Sequence, residues 1–449
     1  QGYFSKAFRR TTTMDMSGLS QVLNFFSESA AGSASIRAYS KLNDFYGTFN
    51  DLLMKSVRPK YVTIYVKRWT FLRTGCIGAT VVGVAMGIIS VQRALGFLSS
   101  GAAALALAAT LALTEILRVI MLVQTELTPQ ITSLERLLEY TRLHSEAPLE
   151  IPENDPESSW PQKGSIEFKN FTMSYRPDLD PVVRDLTFSV AAGEKIGVVG
   201  RTGAGKSSLI MCLFRLVEAS GGSVLIDGVD ISELGLHRLR QSVSIIPQDP
   251  VMFKGTLRFN LDPEGKYDDD AIWGAVERAH LKKLVEKSGE GLEMWIDANG
   301  GNLSLGQQQL VCLGRALLEP TKILVMDEAS AAVDADTDAL IQYTVRTEFA
   351  DRTILSIAHR LDTIIDFDRI LVLELGTISE FASPKELLAN SKSLFYSLCH
   401  EAEKDTTTYL NNVACGMVNH LDYLRESISH TTEPDNVQLF VADDTGMNA

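Results

Sequence analysis

Two stretches of the chain contain no charged residue, and they form its clearest hydrophobic pattern. They run over Thr74–Gln92 and Ala94–Thr114. Because a helix rises about 1.5 Å per residue, each stretch is long enough to cross a hydrocarbon layer of about 30 Å. The pattern predicts two membrane-spanning helices, over residues 72–92 and 95–116. Buried core helices are the alternative, since both stretches are rich in glycine and alanine.

The charges beside these stretches favour the membrane. Only Arg93 lies between the two stretches. A cluster of cations precedes the first one: Lys55, Arg58, Lys60, Lys67, Arg68 and Arg73. This asymmetry is typical of a helical hairpin whose two ends face the cytoplasm. We therefore expect both ends of the chain to lie on the cytoplasmic side of a membrane.

Helical periodicity extends on both sides of the hairpin. Before it, apolar residues such as Val22 and Phe26 recur every three or four positions. After it, the helical pattern continues to Leu143, with a predicted kink at Pro129. We interpret residues 1–143 as part of a transmembrane domain with long cytoplasmic helix extensions.

A different pattern follows a linker. Residues 144–164 are acidic and rich in proline, which predicts a connection between domains. Beyond it, short apolar runs such as "KIGVVG" and "KILVMDEAS" alternate with amphipathic segments. The alternation predicts an α/β domain with a mainly parallel sheet over residues 165–402.

The last part of the chain, residues 403–449, is acidic and rich in threonine. This composition predicts a largely disordered tail, because too few apolar residues are available to form a core. One weak amphipathic segment interrupts it, through Leu410, Val413, Met417, Leu421 and Leu424.

Composition excludes some classes of partner. The 449 residues carry a net charge of −14, which argues against nucleic acid as a general partner. The five cysteines are scattered without metal-ligand spacing, which predicts a reducing compartment. The chain begins with Gln1 and shows no signal-peptide pattern, so we expect a fragment of a longer protein.

The α/β region contains a phosphate-binding signature. Residues 200–207 fit G-x-x-x-x-G-K-[ST], between a predicted strand and a predicted helix. In that context backbone N–H groups wrap around phosphates at a helix start. Lys206 would reach the β- and γ-phosphates of a nucleotide, and Ser207 would bind Mg²⁺. The motif therefore predicts ATP and Mg²⁺ as ligands.

Other candidate residues follow further predicted strands. The run "ILVMDE" ends in Asp327, expected on the Mg²⁺ side of the phosphates, and Glu328, placed to polarise an attacking water. A surface carboxylate is the alternative for Glu328. Gln248 and His359 also each follow an apolar run, where a side chain can point to the phosphates. For His359 a structural role stays open.

These motifs, in this order, resemble the nucleotide-binding domain of an ATP-binding-cassette transporter, an α/β P-loop ATPase with a helical subdomain. The set comprises the phosphate loop, Gln248, Leu303–Gln307, Asp327, Glu328, Asp334 and His359. The segments "GRTGAGKSSL", "IIPQDPVMFKGTLRFNLDP" and "LVCLGRALL" are similar to the second such domain of subfamily C, the multidrug-resistance-associated proteins. The resemblance covers essentially the whole chain, and residues 1–143 resemble the last two spans of such a transporter.

The resemblance implies roles for individual residues. Tyr175 matches the aromatic residue that stacks on adenine, Gln248 the residue that links Mg²⁺ to the transmembrane helices, and His359 the γ-phosphate switch. Nucleotide would contact Tyr175, Gly200, Thr202, Gly203, Ala204, Gly205, Lys206, Ser207, Ser208, Ser304, Gly306, Gln307 and Asp334. The implied catalytic residues are Glu328, His359 and Gln248, and the implied metal ligands are Ser207, Gln248 and Asp327.

In this family two nucleotide-binding domains close head to tail around two ATP molecules. Ser304, Gly306 and Gln307 would therefore bind a nucleotide held by the other domain, in the N-terminal half of the same transporter. Leu305 departs from the common pattern, which has glycine there. Subfamily C often carries an apolar residue at this position, so the departure supports the subclass and leaves the strength of that ATP site open.

Subfamily C also implicates Trp69 and Arg73, which are four residues apart on one helical face. An indole and a guanidinium suit large amphipathic anions along a substrate path. The alternative is an interfacial aromatic residue with a snorkelling arginine.

The resemblance implies ATP-driven export of bulky, amphipathic anionic solutes across a plasma or vacuolar-type membrane. This chain would supply a hydrolytically competent nucleotide-binding domain. An ATP-gated ion channel or a channel-regulating subunit of the same subfamily is the alternative. A soluble tandem ATPase is a third class, and the two uncharged stretches count against it.

Overall fold

The computed structural model describes residues 2–157, 159–176, 178–327, 333–358, 360–400 and 404–431. By its internal contacts the chain divides into two compact units, Gln1–Ser145 and Glu146–Ala449. The first unit is helical and the second is α/β, as the sequence predicts.

The described part of the first unit consists of helices α1 to α4, which are Gly2–Ala31, Ser33–Ala38, Leu42–Ala94 and Ser100–Tyr140. Helix α3 and the Ser100–Ile120 part of α4 are long and apolar enough to cross a membrane. Ser99 ends the turn between them, because its side chain accepts a hydrogen bond from the backbone N–H of Ala102 at 3.3 Å. The first predicted span, 72–92, lies inside α3. The second, 95–116, begins five residues too early, because residues 95–99 form the turn before α4.

Small residues allow these helices to pack closely. A Cβ atom added to Gly78 of α3 would collide with the side chain of Thr114 on α4. Gly18 of α1 approaches Ser56 of α3 in the same way, with the added Cβ only 3.0 Å from the Ser56 Cα. The contact at Gly78 lies within the predicted spans, where helix association in lipid depends on close packing.

The strands of the second unit, β1 to β12 in chain order, are Ile166–Met173, Val183–Val190, Lys195–Val199, Gly221–Ile226, Val229–Asp230, Val243–Ile246, Gly255–Thr256, Trp295–Ile296, Ile323–Asp327, Thr353–Ile357, Arg369–Glu374 and Thr377–Ala382. They form a six-stranded sheet in the order β12-β11-β3-β10-β9-β6, a four-stranded sheet in the order β2-β1-β4-β5, and the pair β7-β8.

The six-stranded sheet is parallel apart from β12, which closes an antiparallel hairpin with β11. This confirms the predicted mainly parallel sheet. The strands read as continuous apolar runs because the sheet is buried on both faces, and β10 is buried along its whole length. Since the strands are parallel, the carboxyl ends of β3, β6, β9 and β10 lie along one edge.

The helices of the second unit, α5 to α15, are Lys206–Leu213, Leu236–Gln241, Leu257–Leu261, Asp269–Arg278, Lys282–Ser288, Leu305–Leu318, Ala335–Glu348, Pro384–Ala389, Leu394–His400, Lys404–Ala414 and His420–Thr431. Helices α7 to α10 surround a shared apolar core that continues onto one face of the six-stranded sheet. They form the predicted helical subdomain.

The predicted linker is fastened to the second unit from residue 146 onward. Backbone N–H groups of Leu236 and His237 donate to the carbonyls of Pro148 and Leu149 at 3.1 and 3.0 Å. The indole of Trp160 donates to the carbonyl of Ile226 at 3.2 Å. The linker lacks long helices or strands, yet these bonds hold it against the domain.

Within residues 404–431 the tail contains two helices, α14 and α15. They overlap the amphipathic segment that the sequence indicates, and its residues Leu410, Val413 and Leu424 are buried. These few apolar side chains suffice because they enter a core that the rest of the domain has already formed. Residues 432–449 lie outside the described part of the chain.

Candidate functional site

The phosphate-binding signature forms the loop between β3 and α5. Gly205, directly before the helix, has a φ of 98°, a left-handed conformation that glycine adopts without strain. This conformation lets the loop turn sharply into the start of α5. The buried ammonium group of Lys206 donates to the carbonyl of Gly200 at 2.7 Å, across the loop. The signature thus has the strand, loop and helix context that gives it meaning.

Two further candidates lie at the same sheet edge as the loop. Asp327 ends β9, and Gln248 follows the end of β6 by two residues. Strand β10 lies between β3 and β9, and β6 flanks β9 on its other side. The sheet order therefore brings the loop, Asp327 and Gln248 to one edge. Glu328 and His359 lie outside the described residues.

The oxygen atoms of Ser207, Gln248 and Asp327 fit Mg²⁺ by type. A hydroxyl, an amide and a carboxylate are hard oxygen ligands, which Mg²⁺ prefers, usually with waters and substrate phosphates completing its coordination. Among the described residues no cluster of three or more histidine, cysteine or acidic side chains has the geometry of a metal site. A Mg²⁺ site here would therefore combine these three side chains with oxygen atoms of the nucleotide.

Sequence reasoning missed Gln309, which fixes the backbone at Gln248. Its buried amide nitrogen donates to the carbonyls of Pro247 and Gln248 at 3.1 and 2.9 Å. Gln309 belongs to α10, so it ties this helix to the segment after β6. The available signal was a polar residue on the apolar face of an amphipathic helix, which demands a buried partner.

Tyr175 lies beside the first turn of α5. Its hydroxyl is 2.9 Å from the hydroxyl of Ser208 and 3.7 Å from the sulfur of Met211. The side chain is still 45 % exposed. An aromatic ring is thus held close to the phosphate loop with part of its surface accessible.

The second predicted phosphate site, at the start of α10, is closed by local hydrogen bonds. The Ser304 hydroxyl accepts from the backbone N–H of Gln307 at 3.2 Å, and the Gln307 side chain accepts from the backbone N–H of Ser304 at 3.0 Å. This capping box satisfies two backbone donors. The sequence pattern Ser-x-x-Gln by itself predicts such a capping box. Leu305, between them, is exposed.

Gly306 meets the start of α11. A Cβ atom added to it would lie 3.1 to 3.2 Å from atoms of Thr337 and Asp334, which leaves little room for a side chain. Asp334 caps α11 by accepting from the backbone N–H and the hydroxyl of Thr337 at 3.0 and 2.9 Å. Asp334 therefore lies close to Gly306. These residues belong to the starts of α11 and α10, and not to the phosphate loop.

Trp69 and Arg73 are partners on α3. The guanidinium carbon of Arg73 lies 4.3 Å from the Trp69 ring centroid. Phe71, about 200° around the helix from Trp69, lies 5.7 Å from the guanidinium carbon of Arg118 on α4. Phe71 shares its face with Gly78, which also meets α4. Trp69 and Arg73 therefore lie on the face of α3 that points away from α4.

The chain is similar in sequence to known proteins. The family model described as "ABC transporter" matches residues 183–331. The chain is 44% identical to Metal resistance protein YCF1 of Saccharomyces cerevisiae, over 90% of this chain and 27% of that protein. It is 42% identical to ATP-binding cassette sub-family C member 3 of Homo sapiens, over 90% of this chain and 26% of that protein. The chain thus spans about a quarter of the length of these curated relatives.

A solved structure shares the fold. It is that of a bacterial Atm1-family ABC exporter with ATP bound, with a TM-score of 0.76 and 24% sequence identity, covering 90% of this chain and 71% of that one. Both the helical unit and the α/β unit therefore have counterparts in a known exporter fold. Together these findings identify an ATP-binding-cassette transporter domain in this chain, which over 90% of its length is similar to proteins of subfamily C.

Proposed function

We propose that this chain binds and hydrolyses ATP and couples the reaction to movement of a solute through a membrane domain that includes α3 and α4. One observation carries the proposal: the phosphate loop, Gln248 and Asp327 meet at one sheet edge, in a chain that also holds two helices able to cross a membrane. A phosphate site and a transmembrane pair in one chain suit a transporter better than a soluble ATPase.

The side chains divide the chemistry of hydrolysis between them. Lys206 balances the charge on the β- and γ-phosphates, while loop N–H groups from Gly200 to Ser208 orient them. Ser207, Gln248 and Asp327 would hold Mg²⁺, which neutralises phosphate charge when bound. Glu328 accepts a proton from the attacking water, and His359 holds the γ-phosphate.

Two composite ATP sites follow if a second nucleotide-binding domain faces this one. The first site uses the phosphate loop, Asp327 and Glu328 of this chain. The second uses Ser304, Gly306 and Gln307 of this chain against a phosphate loop on the N-terminal half of the same transporter. In the second site the Ser304 hydroxyl can donate its proton to a phosphate oxygen while its oxygen still accepts from the backbone N–H of Gln307.

The proposed solutes are bulky, amphipathic organic anions, exported from the cytoplasm across a plasma or vacuolar-type membrane. Trp69 offers an aromatic surface and Arg73 a cation, and their 4.3 Å contact gives one site with both properties. The cations before the first span favour a cytoplasmic position for the nucleotide-binding domain.

Uptake into inside-out membrane vesicles tests the proposal. Vesicles containing the full-length transporter should accumulate an amphipathic anionic conjugate when ATP and Mg²⁺ are supplied, and should lose uptake with Lys206→Ala. ATP-dependent ionic current in patches without uptake would contradict export and favour a channel instead. Loss of ATP hydrolysis without loss of uptake would contradict the coupling.

A further inference from the structure

Helix α15 lies against α11, while α14 packs on α12 and α13. A cavity of about 550 Å³ lies between α11 and the two tail helices. Its walls come from α11, from the segment after β10, and from both tail helices; among its residues are Asp338, Arg360, Tyr409 and His420. Leu424 of α15 is buried there, and Leu410 and Val413 of α14 join the main core. The tail therefore packs on the domain through a surface that is partly apolar and partly polar.

His420, the first residue of α15, is a buried polar residue that lines this cavity. It is 5% exposed. Its Nδ1 lies 2.6 Å from the hydroxyl of Tyr409 on α14. Its Nε2 has no hydrogen-bond partner among the residues that the structure describes. Burial, and then the neighbouring Tyr423, raise the pKa of Tyr409. The Tyr409 hydroxyl therefore stays protonated, and it shares a hydrogen bond with Nδ1 of neutral His420 in which either group can donate.

The charged groups around His420 are already paired with one another. From α11, Arg346 binds Asp366 at 2.7 Å. From the segment after β10, Arg360 binds Asp338 of α11 and Asp362, both at 2.8 Å. Asp336 of α11 also lines the cavity, and Tyr423 on α15 has its ring centroid 6.3 Å from that of His420. A protonated His420 would add a cation near Arg346, while Asp338, Asp362 and Asp366 are already paired with arginines.

We propose that α14 and α15 form a proton-sensitive clamp on α11, closed while His420 is neutral and released when His420 is protonated. Neutral His420 shares with Tyr409 the hydrogen bond that joins the two tail helices. A protonated imidazole carries a proton on both ring nitrogens, which leaves an Nε2–H without an acceptor among the described residues, and its charge would be buried near Arg346. Both changes oppose docking.

The sign of the pH dependence follows from the environment. Burial, then Arg346, lowers the pKa of docked His420, and the opposing effects of Asp366 and Asp362 are smaller. In the released tail the pKa returns to about 6.5. The docked state is therefore fully stable above that pH, and loses stability as the pH falls toward the lowered value. For one proton the loss is at most about tenfold in the docking equilibrium per pH unit.

The clamp bears on the ATP site through α11. This helix begins directly after Asp334, which caps it and touches Gly306. Release of the tail frees α11 on its outer side, and so loosens the Asp334–Gly306 contact. This consequence rests on the proposed function, whereas docking itself does not.

Hydrogen exchange on the full-length transporter tests the clamp. Protection of residues 335–348 and 404–431 is measured at pH 7.5, 6.5 and 5.5, after correction for the intrinsic effect of pH on exchange. In the parent, protection of both segments should fall toward low pH. In His420→Gln, which keeps an acceptor for Tyr409 but cannot be protonated, protection should stay high throughout.

Three further variants keep the test decisive. His237→Gln, an exposed histidine on α6, should behave like the parent. Leu424→Asp should lower protection at every pH. Tyr409→Phe removes the bond to Nδ1 and should move the release to higher pH. Constant protection in the parent, a pH step that survives in His420→Gln, or a parental midpoint in Tyr409→Phe would each overturn the proposal.

ATP turnover of Leu424→Asp at pH 7.5 tests the consequence separately. We expect a fall of several-fold with little change in KM, because the loop at Asp334 is loosened while the phosphate loop is untouched. Parental turnover together with lost protection would show a clamp without influence on hydrolysis, and would overturn this link alone. Absence of any hydrolysis in the parent would contradict the proposed function and leave the exchange result standing.

Discussion

The hydroxyl of Tyr175 lies 2.9 Å from that of Ser208, on the first turn of the helix that follows the phosphate loop. The tyrosine precedes β2 and the serine belongs to α5, so this bond fixes an aromatic ring beside a phosphate site from another part of the domain. The arrangement makes the proposed adenine contact testable, because the ring and the hydroxyl can be removed separately.

Removal of the ring should weaken ATP binding. Tyr175→Ala should cost about 1–3 kcal/mol, the scale of a base stacked on an aromatic side chain. Tyr175→Trp should largely spare binding, and Tyr175→Phe should cost about 1 kcal/mol or less, since it removes only one partly exposed hydrogen bond. ATP titration of the full-length protein measures these values. Ser208→Ala removes the same bond from the other side, and it also removes the hydroxyl of an expected nucleotide contact. Equal losses in Phe and Ala would mean that the hydroxyl contact, and not stacking, matters.

The catalytic assignment is tested by Glu328→Gln. This substitution keeps the shape of the side chain but removes its charge and its basicity, so ATP should still bind while turnover falls about 10²-fold or more. Leu305→Gly is the comparison for the other composite site and should change turnover only a few-fold, about 1 kcal/mol or less of barrier. Steady-state ATPase and nucleotide trapping give both results. Near-parental hydrolysis by Glu328→Gln would place the catalytic base elsewhere.

The buried amide of Gln309 should stabilise the segment that carries Gln248. Gln309→Met keeps a similar volume but leaves the carbonyls of Pro247 and Gln248 without this donor, which should cost about 1–3 kcal/mol. Thermal unfolding of the nucleotide-binding domain, within the full-length protein, reports the loss, and the KM for ATP should rise with it. Gln308→Met is the control, because Gln308 bonds instead to the carbonyls of Gly300 and Leu303. A shift of KM in Gln308→Met alone would contradict the role of Gln309.

The two faces of α3 should contribute differently to transport. If Trp69 and Arg73 contact solute, Trp69→Ala should lower uptake of an amphipathic anion several-fold without lowering basal ATPase activity. Phe71→Ala tests the opposite face, where the ring meets Arg118, and should affect protein yield more than solute preference. Vesicle uptake normalised to transporter content measures both. Selective loss of uptake in Phe71→Ala alone would move the solute path to the side of α3 that contacts α4.

Local signals in the sequence were sufficient for much of this protein. The uncharged stretches predicted α3 and α4, because membrane-spanning helices must be apolar along a fixed length. The order of strand, glycine loop and Lys206 predicted the phosphate loop, and the apolar run before Asp327 predicted β9. Each signal lies within about twenty residues, so it can be read without knowledge of the tertiary structure.

Other features depend on partners that are distant in sequence. The helices of the tail are stabilised because Leu424 and His420 pack beside α11. That surface exists only after the domain has folded. Gln309 reaches the backbone at Gln248 across 61 positions of the chain, and Gly306 is a glycine where Asp334 leaves little space. The face of α3 that carries Trp69 was assigned by helix-to-helix contact with α4. Periodicity gives each helix its apolar and polar faces, but only packing decides which neighbour each face meets, because contact energies arise between atoms brought together by the fold.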